Sequence, residues 1–179
     1  MAQLSLKTLY LEYLGAPSRF LNRHPHPWLV LASQIRPKED LELRTSVYDM
    51  DADPALEESP ESLAETLAAE LVKREINAFG LGITVGRTKN NDVSINDERI
   101  SRFHAYFRLT ESGWTLSDAG SRNGTFVDGV QLDARRSRSL PEKGLLDFGG
   151  YRVRFFLPHA FVEFLRRVAP RPSPRVSRG

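Results

Sequence analysis

The sequence predicts a mainly β protein, an antiparallel sandwich with helices flanking it at both ends of the chain. Two observations carry that expectation. From Ile83 onward the apolar residues come in short runs, Ile83–Val85, Val93–Ile95, His104–Leu109, Trp114–Ser117, Thr125–Val127, Leu145–Phe148 and Arg152–Leu157, divided by Gly, Asn and Asp. Asp128-Gly129 and Gly149-Gly150 are dipeptides that favour the tight turns of β-hairpins. A hydrophobic fraction of 40% over 179 residues is enough to fill a core of that kind.

The elements before Ile83 read differently. Leu6, Leu9, Tyr10, Tyr13 and Leu14 recur at helical spacing, which predicts a helix over 5–15 with Ser5 as N-cap and Gly15 as its stop. Pro17 opens a short second helix carrying Phe20 and Leu21, and His24-Pro25-His26-Pro27 ends it. Trp28–Leu31 is a compact apolar run and predicts a strand. Leu41, Leu43, Thr45 and Val47 alternate with polar residues, which predicts a second strand joined to the first as a hairpin through 36–40. Residues 62–74 carry two signals: helix propensity at Leu63, Ala64, Leu67, Ala68 and Leu71, and the need for a strand ahead of Val85. The expectation is a strand from about Ala69 with a helix before it. Beyond the last strand, Pro158 opens a helix whose Phe161, Phe164 and Leu165 share one face. The division that follows is an N-terminal extension over 1–48, an acidic linker over 49–68, the sandwich over 69–157, a helix over 158–168 and a disordered basic tail over 169–179.

Charge is segregated although the formal net charge is only +2. No Lys or Arg lies between Arg44 and Lys73, whereas Asp49, Asp51, Asp53, Glu57, Glu58, Glu61, Glu65 and Glu70 do. From Arg166 onward the charged residues are all arginines. Such blocks read as solvated linkers and tails. With no cysteine, disulfides, thiolate metal sites and cysteine nucleophiles are excluded. No signal-peptide core and no run long enough to span a bilayer is present, so a cytoplasmic location is expected, without membrane association. Arg135, Arg136, Arg138 and the C-terminal arginines raise nucleic-acid binding, but no recognition motif or interleaved aromatic platform accompanies them. His24 and His26 raise a metal site, but they flank prolines and have no carboxylate close by in the sequence. No metal or other cofactor is expected.

Three clusters at strand ends are dense in hydrogen-bond donors: Gly86-Arg87, Ser101-Arg102-Phe103-His104-Ala105 and Ser121-Arg122-Asn123-Gly124-Thr125. Loops of this kind at one end of a sandwich can converge on a single anion. Arg87 offers a planar, permanently charged fork matched to phosphate oxygens, and Gly86 allows close backbone packing. Ser101 supplies a hydroxyl. Ser101 with His104 is a weak case for nucleophilic catalysis, since no oxyanion-hole glycine motif or orienting acid accompanies the pair. No enzymatic activity is expected. Asn123-Gly124 favours a tight turn, and the Asn123 amide can also hold an extended peptide backbone.

These clusters, with Asn91-Asp92, Asp118 and Gly129 between and after them, closely resemble the forkhead-associated (FHA) family in residue identity, order and gaps. The resemblance covers about half the chain, from roughly Leu71 to Leu157. It implies an eleven-stranded sandwich whose end loops bind phosphothreonine peptides, and hence an adaptor in a Ser/Thr protein kinase pathway. It implies that Arg87 and Ser101 contact the phosphate, that Arg102 and Arg122 flank it, and that Asn123 holds the peptide main chain. It implies architectural roles for Gly86, His104, Gly124 and Thr125. Arg122 departs from the family's usual small or hydroxyl residue, and Glu142-Lys143-Gly144 departs from its usual Gly-Asp turn. The alternative is an FHA-like scaffold or oligomerisation module that works without phosphate.

Overall fold

The computed structural model describes residues 3–31, 60–75, 77, 79–80, 82–133 and 136–168. The strand expected over 41–47, most of the acidic linker, Arg135 and the basic tail fall outside the described residues.

The described residues form four helices and twelve strands. In chain order these are β1 (Leu4–Ser5), α1 (Leu6–Gly15), α2 (Pro17–Arg23), β2 (Trp28–Leu31), α3 (Pro60–Glu65), β3 (Leu67–Glu70), β4 (Ile83–Gly86), β5 (Val93–Ser94), β6 (Ala105–Thr110), β7 (Gly113–Asp118), β8 (Thr125–Val127), β9 (Val130–Gln131), β10 (Ser137–Ser139), β11 (Lys143–Phe148), β12 (Tyr151–Phe156) and α4 (Pro158–Val168). Seven strands make one sheet in the order β1-β3-β2-β12-β11-β8-β9, and five make the other in the order β10-β7-β6-β4-β5.

Local chemistry accounts for the element ends. The Ser5 hydroxyl accepts the Thr8 amide at 3.2 Å and caps α1. Pro17 and Pro158 each stand first in a helix, where a missing N–H costs nothing. Asp128 and Gly129 adopt φ of 49° and 77°, the positive pair that a two-residue turn between β8 and β9 requires.

The structure departs from the expected sandwich in three respects. There are twelve strands among the described residues instead of eleven, and three of them, β1, β2 and β3, lie upstream of the stretch that carried the resemblance. β2 is not the outer strand of a local hairpin: it pairs with β12 on one side and, through Trp28, Leu29 and Val30, with β3 on the other, while its expected partner over 41–47 lies outside the described residues. And β4 runs parallel to β5, with Val85 opposite Val93. The chain coils once between them, closed by the Asn91 amide on the Thr88 carbonyl at 3.1 Å, and returns in the same direction. Every other pairing is antiparallel.

At β2 the seven-stranded sheet is buried on both faces, which explains why Trp28–Leu31 has no polar alternation. Leu29 and Leu31 face the other sheet, where Phe107 and Phe155 stack with centroids 6.1 Å apart. Trp28 and Val30 face the opposite way, into a second apolar core closed by α1, α2 and α4. There Trp28 stacks on Phe161 at 4.7 Å and Phe156 on Phe164 at 4.7 Å. Among the described residues no helix is long and apolar enough to cross a membrane.

Candidate functional site

The three donor-rich clusters meet at one end of the sandwich, in the loops after β4, before β6 and between β7 and β8. Gly86 ends β4 with no room for a side chain: a Cβ there would lie 2.4 Å from the Arg102 carbonyl oxygen and 2.7 Å from Asn91 Nδ2. This close approach lets the loops interlock. The Arg87 amide donates to the Ser101 carbonyl at 3.0 Å, and the Asn91 side chain donates to the Arg102 carbonyl at 2.7 Å. Thr88 Oγ1 donates to that same carbonyl at 2.9 Å.

His104 ties the middle loop to the other two. It is fully buried, its amide donates to the Val85 carbonyl, and its carbonyl accepts from the Ala119 amide, both at 2.9 Å. Nδ1 accepts the Ser101 amide at 3.0 Å, so Nδ1 carries no proton. Nε2 therefore carries it and donates to the Gly124 carbonyl at 3.1 Å. Burial pushes the His104 pKa below that of an ordinary imidazole, partly opposed by the bond to Gly124. With both nitrogens engaged by backbone, His104 has no free nitrogen to activate Ser101.

Asp118, at the end of β7, organises the third loop. Its buried carboxylate accepts the Gly120 and Ser121 amides at 2.7 and 2.9 Å, and the Ser121 and Thr125 hydroxyls at 2.6 Å each. Burial alone would raise its pKa, but these four donors outweigh it and hold the carboxyl below its usual value. The Ser121 hydroxyl oxygen in turn accepts the Gly124 amide at 3.0 Å. Gly124 adopts φ of 81°, which closes the turn before β8.

Arg87, Ser101, Arg102 and Arg122 are brought together in the lining of one cleft of about 1090 Å³. The Ser101 hydroxyl oxygen accepts the Arg122 amide at 3.0 Å, which leaves its proton free to donate into the cleft. Arg87, Arg102 and Arg122 are exposed and form no ion pair among the described residues. Asn123 stands outside this lining. It sits on the neighbouring surface, where Nδ2 donates to the Arg99 carbonyl at 2.8 Å and Oδ1 accepts no hydrogen bond among the described residues.

The FHA domain family model matches residues 83–149, the stretch that holds all three loops. An oxoglutarate dehydrogenase inhibitor of Corynebacterium jeikeium is 32% identical over 111 residues, 59% of this chain and 73% of that one. The chain belongs to the FHA family. Nibrin of Danio rerio is 36% identical over 78 residues, 44% of this chain but only 9% of nibrin. The chain also spans only about half the length of two other corynebacterial relatives. Among solved structures, the FHA domain of a Chlamydia trachomatis protein superposes with a TM-score of 0.45 at 19% identity, over 73% of this chain and 96% of that one.

Sequence reasoning missed several residues of this FHA cleft: Thr88, Asn90, Glu98 and Arg99 also line it. Thr88 and Asn90 were within reach, since they directly follow Arg87 in the same loop. Glu98 and Arg99 fall in a turn with no distinguishing composition. Arg99 is a charge already spent: it pairs with Asp97 at 2.7 Å, donates to the Gly150 carbonyl at 2.8 Å and lies over the Tyr151 ring. The hydrogen bonds from Arg99 hold the Asp97 carboxyl below its usual pKa. His24, weighed as a metal ligand with His26, lies far from the cleft in sequence and in packing. Contrary to the expectation that it lacks a carboxylate neighbour, folding places it between Glu70 at 3.1 Å and Glu12 at 3.3 Å. Arg136, weighed for nucleic-acid contacts, faces Asp133 at 3.5 Å.

Proposed function

We propose that this chain is a phosphothreonine-reading adaptor in Ser/Thr protein kinase signalling, with Arg87 and Ser101 as the phosphate contacts, Arg102 and Arg122 flanking them, and Asn123 holding the peptide main chain. The observation that carries the reading is the gathering of three arginines, without acidic partners among the described residues, around the Ser101 hydroxyl, which accepts the Arg122 amide and donates to no acceptor among those residues. Guanidinium groups and hydroxyls form short charge-assisted bonds to a dianionic phosphate, and three unpaired cations supply the charge to balance it. Asn123 keeps one N–H and its carbonyl oxygen uncommitted, the pair an extended peptide backbone can use. Gly86, His104, Gly124 and Thr125 build the loops without touching the ligand. A relative named as an enzyme inhibitor suits a protein that acts by binding another, and the reading needs no catalytic step, metal or cofactor.

The test is a calorimetric titration with one peptide in phosphothreonine, phosphoserine and unmodified forms, repeated on Arg87→Ala. The phosphothreonine form is expected to bind tightest and the unmodified form not at all. Truncating one side of a desolvated charge pair costs about 2–5 kcal/mol, roughly thirtyfold to several-thousandfold in affinity. The melting temperature of Arg87→Ala should stay near that of the parent, since the residue is exposed and outside both cores. If Arg87→Ala binds like the parent, the phosphate-independent scaffold becomes the better account.

A further inference from the structure

Three aromatic rings on the outer face of the five-stranded sheet belong to neither apolar core. Phe79 and Phe103 meet edge to face with centroids 4.7 Å apart. Tyr106 lies 5.8 Å from Phe79 and 6.3 Å from Phe103, stacked on the latter. Each of the three remains partly exposed. On β6 the buried Ala105 and Phe107 point into the sandwich, so Tyr106 points away from it. The guanidinium of Arg108 sits 5.3 Å from the Tyr106 ring centroid and forms a polar rim. Scattered exposed aromatics need no explanation, but three in mutual contact make an apolar patch, and such patches mark interaction sites.

What the patch faces follows from Phe103. That residue lines the arginine cleft as well as packing in the patch, so the two surfaces are continuous. It is two residues from Ser101 on one loop, a span of at most about 7 Å between their Cα atoms. A peptide anchored by its phosphate at Ser101 therefore brings a residue only a few positions away within reach of the Phe103 ring.

We propose that Phe103, with Phe79 and Tyr106, forms an apolar subsite that selects an aliphatic side chain flanking the phosphothreonine of the bound peptide. The inference rests on the phosphopeptide reading above and adds a second specificity element to it. Rigid rings already packed on one another present a flat face at low entropic cost, and an aliphatic side chain laid on that face leaves water on one side.

The test uses the full chain and a fluorescent phosphothreonine peptide with alanine at every flanking position, walking a single leucine through those positions. One position is expected to tighten binding about three- to tenfold, as half-burial of an isobutyl group implies. In Phe103→Ser the leucine-to-alanine affinity ratio at that position should fall to about one, in Tyr106→Ser it should shrink, and in Phe103→Leu it should persist. A structural role alone would shift melting temperatures without moving that ratio. Should Phe103→Ser fail to fold, Tyr106→Ser decides. Binding of the phosphopeptide with no preference at any position overturns the subsite alone, as does a ratio that survives both serine variants. No binding of any phosphopeptide overturns the subsite and the phosphothreonine reading together.

Discussion

The end loops and the helix-covered face of the seven-stranded sheet are built from opposite materials. At the loops the buried groups are polar: His104, Asp118 and Thr125 are at most 4% exposed, and each is fixed by directional hydrogen bonds. Under the helices the buried groups are apolar: Phe161, Leu165, Leu6 and Leu9 are fully buried, and their order comes from packing. Hydrogen bonds specify geometry sharply but add little net stability each, about 0.5–1.5 kcal/mol. Apolar burial stabilises more and specifies less. The helical face should therefore set how stable the protein is, and the loops should set what it recognises.

The largest effect expected from that contrast is on the helical side. Phe161 belongs to α4, is fully buried, and stacks on Trp28. Phe161→Ala removes a ring from a packed core, which costs about 3–5 kcal/mol. Thermal and denaturant unfolding should show that loss, while phosphopeptide affinity at a temperature where the variant is still folded should match the parent. Arg87→Ala should give the reverse result. If Phe161→Ala melts with the parent, α4 is not part of the cooperative unit, and the division of labour is wrong.

A smaller effect is expected from the polar side, and it is visible only against pH. His104 is buried neutral, with its folded pKa depressed below the ordinary 6.5. As pH falls past 6.5 the unfolded chain takes up the proton first, so stability falls with pH until the folded pKa is also passed. One proton of difference gives a slope of at most about 1.4 kcal/mol per pH unit. His104→Asn keeps a hydrogen-bonding amide but cannot titrate, so its melting temperature should depend less on pH below 6.5, whatever its absolute stability. An equal slope in parent and variant would move the acid sensitivity to another group.

The legibility of the sequence follows the same contrast. Gly86-Arg87, Ser101, His104 and Asn123-Gly124 were readable because each position demands a particular chemistry: no side chain beside the Arg102 carbonyl at Gly86, two ring nitrogens of opposite role at His104, a positive φ at Gly124. The helices α1, α2 and α4 were readable from spacing and from Ser5, Pro17 and Pro158. Strand partners were not. Trp28–Leu31 is plainly a strand, but nothing local says that it enters the sheet between β3 and β12, the latter more than a hundred residues later. The parallel β4–β5 pair was hidden for the same reason. Glu98 and Arg99 were invisible because their place in the cleft depends on how the turn before Ser101 lies across the fold.

Glu98 gives the finest test of the loop side. It lines the cleft beside Arg87, Arg102 and Arg122, is exposed, and forms no ion pair among the described residues. Its neighbour Arg99 is committed to Asp97, so that cation does not offset it. A free carboxylate in a cleft that receives a dianion opposes binding, and in exposed surroundings charge pairs of this kind are worth a few tenths of a kcal/mol to about one. Glu98→Gln keeps the shape and removes the charge, so affinity for a phosphothreonine peptide should rise about two- to fivefold. The gain should shrink as salt is raised, because screening weakens the repulsion that the substitution removes. A basic residue in the peptide next to Glu98 would reverse the sign, since the carboxylate would then attract it. The decisive measurement is the Glu98→Gln to parent affinity ratio for an alanine-flanked phosphothreonine peptide at low and high salt. A ratio of one at both salts would mean that the phosphate sits too far from Glu98 to feel it, and would move the anion toward the Arg122 side of the cleft.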